Sequence, residues 1–141
     1  MTEAIPERVQ FKKPNIRSES GEFSRVADEF GYDDFVLMYL AEQEGKTLNL
    51  NEEIWSRLEN TDSYDIEEGD WQTVARHAGS VSRDYLDLKQ KLSEGVELET
   101  PIVMKVGERL HLVSGNTRLM VARAFGLKPQ VLIFEVEPHE V

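Results

Sequence analysis

Apolar residues recur along the first two thirds of the chain at helical spacing. Phe23, Val26, Ala27 and Phe30 fall at i, i+3, i+4 and i+7, one face of a helix that Gly31 stops. Asp33 or Asp34 caps a second helix over 35–44, whose run Phe35-Val-Leu-Met-Tyr-Leu40 is apolar almost all round. That pattern predicts the most buried helix of the molecule. Asn49 with Glu52 has capping-box spacing and predicts a short helix carrying Ile54, Trp55 and Leu58. Residues 60–69 are polar and acidic and predict a loop. Asp70 caps the next helix, with Trp71, Val74, Ala75 and Ala78 on one face and Gly79 at its end. A helix from Ser80 or Ser82 follows, presenting Val81, Tyr85, Leu88 and Leu92, and Gly95 closes it.

The period changes after Gly95. Residues 101–106 are strand-like, Gly107-Glu108 is a hairpin turn, and Arg109–Val113 alternates Leu110 and Leu112 against Arg109 and His111. On that alternation His111 belongs to the polar, surface phase of its strand. A polar turn at 114–117 leads into a helix over 117–125 with Leu119, Val121, Ala122 and Phe125, ended by Gly126. Val131–Phe134 reads as a closing strand. The fold class is therefore α+β: a helical N-terminal region, residues 1–80, ahead of a β-β-α-β unit, residues 81–141, the two forming one compact unit.

Composition narrows the chemistry. The 141 residues contain no cysteine, which removes disulfides, thiolate metal sites and a thiol nucleophile. No apolar run approaches the ~18 residues that span a bilayer, and the N-terminus has no apolar signal region, so the expected location is cytoplasmic without membrane contact. Net charge is −11, distributed unevenly. Residues 19–70 hold sixteen acidic and three basic residues, whereas residues 1–18 are net +2. The basic cluster Arg8, Lys12, Lys13 and Arg17 is expected in an exposed arm, or folded back on the acidic block. An acidic surface repels phosphate backbones, so support for direct DNA binding is weak. It either solubilises the chain or meets a basic protein.

One turn carries chemical information. In Val113-Ser-Gly-Asn-Thr-Arg118 a strand ends at a glycine and a helix begins with arginine in its first turn. Unpaired N–H groups at a helix start favour anions, Gly115 permits close backbone approach, Asn116 and Thr117 can cap or bond a ligand, and Arg118 offers a planar fork. Thr117 as a simple cap, with Arg118 paired to a glutamate, satisfies the same residues. His111 and Glu108 are candidates for acid–base work. Glu94, Glu97 and Glu99 are further carboxylates for Mg²⁺ or base chemistry. No two histidines have metal-ligand spacing, and no metal site is expected.

The order Pro101-Ile-Val103, hairpin, Gly115-Asn-Thr-Arg118, Ala122, Gly126 and Val131–Phe134 resembles the ParB/sulfiredoxin superfamily over residues 81–137. The resemblance implies a sulfiredoxin-like fold that binds nucleotide, ATP or CTP with Mg²⁺, at Gly115–Arg118. It implies an activity among NTPase, phosphotransferase and DNA nuclease. Sulfiredoxin activity is excluded, because Asn116 and Thr117 stand where that chemistry needs Cys and His. Partition proteins carry Glu and Arg at those two places, and this chain does not. Those departures keep a second expectation open: a non-enzymatic acidic phage or plasmid protein, an inhibitor or nucleic-acid mimic, that binds a basic host protein.

Overall fold

A computed structural model describes residues 11–79 and 85–138. The chain is mixed α+β. Its elements are β1 (Phe11–Lys12), α1 (Ser20–Phe30), α2 (Asp34–Glu44), β2 (Lys46–Asn49), α3 (Glu52–Arg57) and β3 (Leu58–Glu59). They continue with α4 (Trp71–Gly79), α5 (Tyr85–Ser93), β4 (Leu98–Glu99), β5 (Ile102–Val106), β6 (Arg109–Ser114), α6 (Asn116–Ala124) and β7 (Gln130–Val136). Single 3-10 turns occupy Ile16–Glu19 and Ser63–Asp65.

Five strands form one sheet in the order β2-β7-β5-β6-β3. The β5–β6 pair is the expected antiparallel hairpin, turning through Gly107 at φ 60°. β7 returns through α6 to lie parallel to β5, and β2 closes the edge antiparallel to β7. β3 lies parallel to β6 on the other edge, and β1 pairs separately with β4. Strands from both halves of the chain thus share one sheet.

Helices cover both sheet faces, so alternate residues of each strand enter different cores. Ile102, Met104, Val113, Leu132, Phe134 and Val136 meet Phe23, Val26, Leu37 and Met38 of α1 and α2. Val103, Leu110, Leu112 and Val131 meet Trp55 of α3 and Leu119 of α6. A third cluster joins α4, α5 and α6 through Val74, Leu92, Met120 and Val121.

Several expectations need correction. His111 is not a surface residue: its strand is covered on both sides, and it is 4% exposed. α2 is not the most buried helix. Leu37, Met38 and Ala41 are buried, but Phe35, Val36 and Tyr39 are 67%, 51% and 59% exposed. A helix apolar all round still packs on one side of a sheet only. The cap of α3 is Asn51, whose side chain accepts from the Ile54 N–H at 2.8 Å, because Asn49 is engaged in β2. Neither β2 nor β3 was expected. The first half of the chain is therefore not purely helical. Residues 11–20 are not a loose arm: Lys12 lies in β1, Asn15 caps the first 3-10 turn, and Arg17 pairs with Glu42 at 3.0 Å. The caps of α1 at Gly31, of α2 at Asp33 and of α4 at Asp70 agree with expectation. Arg8, the start of a helix at Ser80 or Ser82, Val81 and His139 lie outside the described residues.

Candidate functional site

The junction of β6 and α6 forms one end of a cleft of about 620 Å³. Gly115 turns the chain there at φ 111°, in the left-handed region. A Cβ at this position would stand 2.6 Å from Cβ of Pro101, so the turn is packed directly on the residue that precedes β5. That contact explains in physical terms why Pro101 and Gly115 belong together. No side chain caps α6 at Gly115.

Arg118, in the first turn, is anchored by protein groups. Nη1 donates to the Glu99 carbonyl at 2.7 Å, and Nη2 donates to Ser114 Oγ at 3.0 Å and to Glu19 Oε1 at 3.3 Å. Its side chain is 14% exposed, yet it lines the cleft. The Glu99 carboxylate is turned elsewhere and accepts from the Asn15 N–H at 3.3 Å. Asn116 also lines the cleft, and its Oδ1 accepts from Thr61 Oγ1 at 2.6 Å. Thr61 Oγ1 contacts Ser63 Oγ, which accepts from Trp55 Nε1 at 2.7 Å. This chain of polar groups, buried at Trp55 and Ser63 and part-buried at Thr61 and Asn116, fixes the Asn116 carbonyl end. Thr117 is buried at 4% exposure.

The opposite wall comes from the N-terminal half. Glu19 comes from the end of the first 3-10 turn, Glu22 and Arg25 from α1, and Asn60 from the loop after β3. Arg25 Nη2 donates to Glu22 at 3.0 Å and to the Val113 carbonyl at 3.3 Å. Asn60 holds the Leu112 carbonyl at 3.0 Å from a backbone at φ 65°. These residues carry no motif, and nothing in their spacing marks them as neighbours of Gly115. The cleft contains two cations, each already facing a carboxylate.

The two acid–base candidates lie apart from the cleft. Glu108 sits in the hairpin turn at the far end of β6, where its carbonyl accepts from Arg57 at 3.0 Å. His111 lies in the middle of β6 on the α1 side, edge-on to Phe30 with centroids 4.8 Å apart. Neither ring nitrogen has a hydrogen-bond partner. Nδ1 is 3.6 Å from Glu59 and Nε2 is 3.8 Å from Glu29. Burial depresses the His111 pKa against the opposing pull of these two carboxylates. Glu59 is itself engaged by Arg109 at 2.7 and 3.0 Å, which lowers its pKa. His77 is exposed, with Nδ1 3.6 Å from Asp62.

Among the described residues no group of three His, Asp or Glu side chains could hold a metal by itself. A Mg²⁺ carried by a phosphate chain needs only one or two carboxylates, and Glu19 and Glu22 are those within the cleft. No family model, curated protein or solved structure matches this chain.

Proposed function

We propose that the protein binds the phosphate groups of a nucleotide, or of another phosphorylated small molecule, in the cleft at Gly115–Arg118. The observation that carries this reading is the convergence of a side-chain-uncapped helix start, a left-handed glycine and the guanidinium groups of Arg25 and Arg118 on one cleft. Helix N-termini and arginine forks both bind anions, and here the α6 start and Arg118 face Arg25 across one cleft. The resemblance to ParB/sulfiredoxin proteins supports the same residues.

Arg118 is oriented by the Glu99 carbonyl and Ser114, so its fork is set before any ligand arrives. A phosphate oxygen takes the place of the Glu19 carboxylate on Nη2. Glu19 and Glu22 are the cleft carboxylates that would hold a Mg²⁺ accompanying the phosphates. The ion would supply neutralisation of the phosphate charge. ATP and CTP are the ligands the resemblance favours. The site is read as a binding site: His111 and Glu108 stand outside it, and the activities of NTPase, phosphotransferase and nuclease lack a base beside the cleft other than the two glutamates. A cytoplasmic location accords with this ligand, and among the described residues no helix is long and apolar enough to cross a membrane.

Calorimetric titration with Mg²⁺–ATP, Mg²⁺–CTP and inorganic phosphate tests the reading. Arg118→Ala should weaken binding roughly tenfold to a hundredfold, from the loss of a charged contact of about 1.5–3 kcal/mol. Because Arg118 also braces the Glu99 carbonyl, Arg25→Ala provides a second variant whose guanidinium is more exposed. If the parent binds none of the three ligands, Gly115–Arg118 is only a helix start and the reading fails.

A further inference from the structure

The His111 ring stands between two acceptors. Nδ1 faces Glu59 Oε1 at 3.6 Å and Nε2 faces Glu29 Oε2 at 3.8 Å, each just beyond hydrogen-bond length. Carboxylates only accept, and a neutral imidazole carries one N–H. In that form one ring nitrogen turns its lone pair on a carboxylate. Only the imidazolium, with two N–H groups, matches both neighbours. Burial works against it: among the described residues the two ring nitrogens are the only buried side-chain polar atoms without a hydrogen-bond partner. Geometry favours the charged ring and burial the neutral one, so a modest change in the local field decides between them.

Both carboxylates are shared with arginines. Glu59 Oε1 also accepts from Arg109 Nη2 at 2.7 Å, and Arg109 does not line the cleft. Glu29 Oε2 lies 3.8 Å from Arg25 Nη1, the same oxygen that faces the ring. Arg25 is a cleft residue, and its Nη2 donates to Glu22 and to the Val113 carbonyl. The charged groups around the ring are therefore Glu29 and Arg25 of α1, Glu59 of β3 and, through Glu59, Arg109 of β6. Phe30 of α1 and Met104, the register partner in β5, add no charge. The two carboxylates favour a proton on the ring, and the Arg25 cation opposes one.

We infer that the cleft is proton-linked: an anion that engages Arg25 draws a proton from solvent onto His111. The anion brings negative charge, offsets the Arg25 cation and competes with Glu29 for Nη1, which leaves Glu29 Oε2 to accept from the ring. These effects act in one direction. By reciprocity, a protonated His111 strengthens anion binding by the same factor. The inference rests on the reading of the cleft as an anion site, and His111 serves it as a positioning residue through Glu29 and Arg25.

Sulfate is the probe, because it keeps its double charge where phosphate titrates. NMR of the His111 ring during a pH titration of the full chain gives the midpoint in sodium sulfate and in sodium chloride of equal ionic strength. Sulfate should raise that midpoint by about 0.5, the reciprocal of a roughly threefold gain in sulfate affinity on protonation. His111→Gln should lose that gain and keep only the shallower pH dependence contributed by the cleft carboxylates. A midpoint that stays in place while sulfate is bound, or a His111→Gln variant with the full pH dependence of the parent, overturns the inference and leaves the cleft reading standing. Absence of sulfate binding at every pH overturns both. The ring titration uses the parent chain, so it decides the matter even where the variant does not fold.

Discussion

The first and last turns of α6 each carry an arginine, and the two are held in opposite ways. Arg123 sits where the helix dipole favours a cation. It donates to both oxygens of Glu52 at 2.6 and 3.1 Å, and its guanidinium lies 4.8 Å from the ring centroids of both Trp55 and Tyr64. A carboxylate and two aromatic rings thus enclose it. Arg118 sits where the dipole opposes a cation. It is kept there by a carbonyl, a hydroxyl and one carboxylate, beside a cleft. Residue type alone therefore says little about an arginine's work. Arg123 fastens α6 to α3, while the position of Arg118 is stabilised by negative charge, whether from Glu19 or from a ligand.

The largest effect that separates the two ends comes from the backbone. Gly115→Ala meets both a left-handed φ and a Cβ contact of 2.6 Å with Pro101. Strain of about 1–2 kcal/mol and overpacking of about 1–3 kcal/mol should add, and urea denaturation should show a loss of roughly 3 kcal/mol. Gly21, whose added Cβ would meet nothing within 4 Å, is the matching control in α1. A loss no greater than for Gly21→Ala would mean that the turn is not held by Pro101.

Replacing each arginine by methionine sharpens the contrast. Arg123→Met should cost about 1–2 kcal/mol of stability through the two ring contacts and leave phosphate binding unchanged. Arg118→Met should abolish most phosphate affinity. Glu19→Gln should raise the affinity for inorganic phosphate without Mg²⁺ by a few fold, because it removes the charge that competes on Arg118, and should reduce the gain that Mg²⁺ gives a nucleotide. Calorimetry on these variants reads the three outcomes together, and equal effects at both arginines would erase the distinction.

Only the Arg118 end of this contrast is legible in the sequence; the enclosure of Arg123 by Glu52, Trp55 and Tyr64 is tertiary. The hairpin, α6 and β7 follow from local signals: Gly107-Glu108, the alternation around Leu110 and Leu112, and the stop at Gly126. The Gly115–Arg118 turn is visible because its constraint is backbone conformation, which residue type reports. The opposite wall of the cleft was invisible, since Glu19, Glu22 and Arg25 reach it through tertiary packing of α1. β2 has no sequence signature because Lys46-Thr-Leu-Asn49 is an exposed edge strand, polar at most positions. The alternation around His111 marks two faces but does not say that one of them is wet. In α2 the converse holds: apolarity all round does not choose the packed side.

The smallest expected effect concerns that histidine. Its folded pKa lies below the usual value near 6.5. Protons therefore bind the unfolded chain more readily, and this contribution to stability is complete above that value. It is lost as pH falls below about 6.5 toward the lower folded pKa. His111→Leu should flatten the pH dependence of the melting temperature over that interval. An unchanged slope would mean that Glu29 and Glu59 offset the burial completely.

The pairing of β2 with β7 and of β1 with β4 also governs how the molecule is made. Residues 46–49 find their partners at 130–133, and residues 11–12 theirs at 98–99. Contacts of such long sequence separation slow folding, because a large loop must close before they form. The hairpin with α6 and β7 is far more local, so it is the natural nucleus. On the ribosome the order is reversed: the acidic first half emerges while its sheet partners are still untranslated. Phe23, Leu37 and Trp55, all buried in the finished protein, then have no strands to cover them. The sixteen carboxylates against three cations over residues 19–70 repel one another and other nascent chains during that interval. Their excess keeps the waiting segment apart until Val131–Phe134 arrives to complete its core.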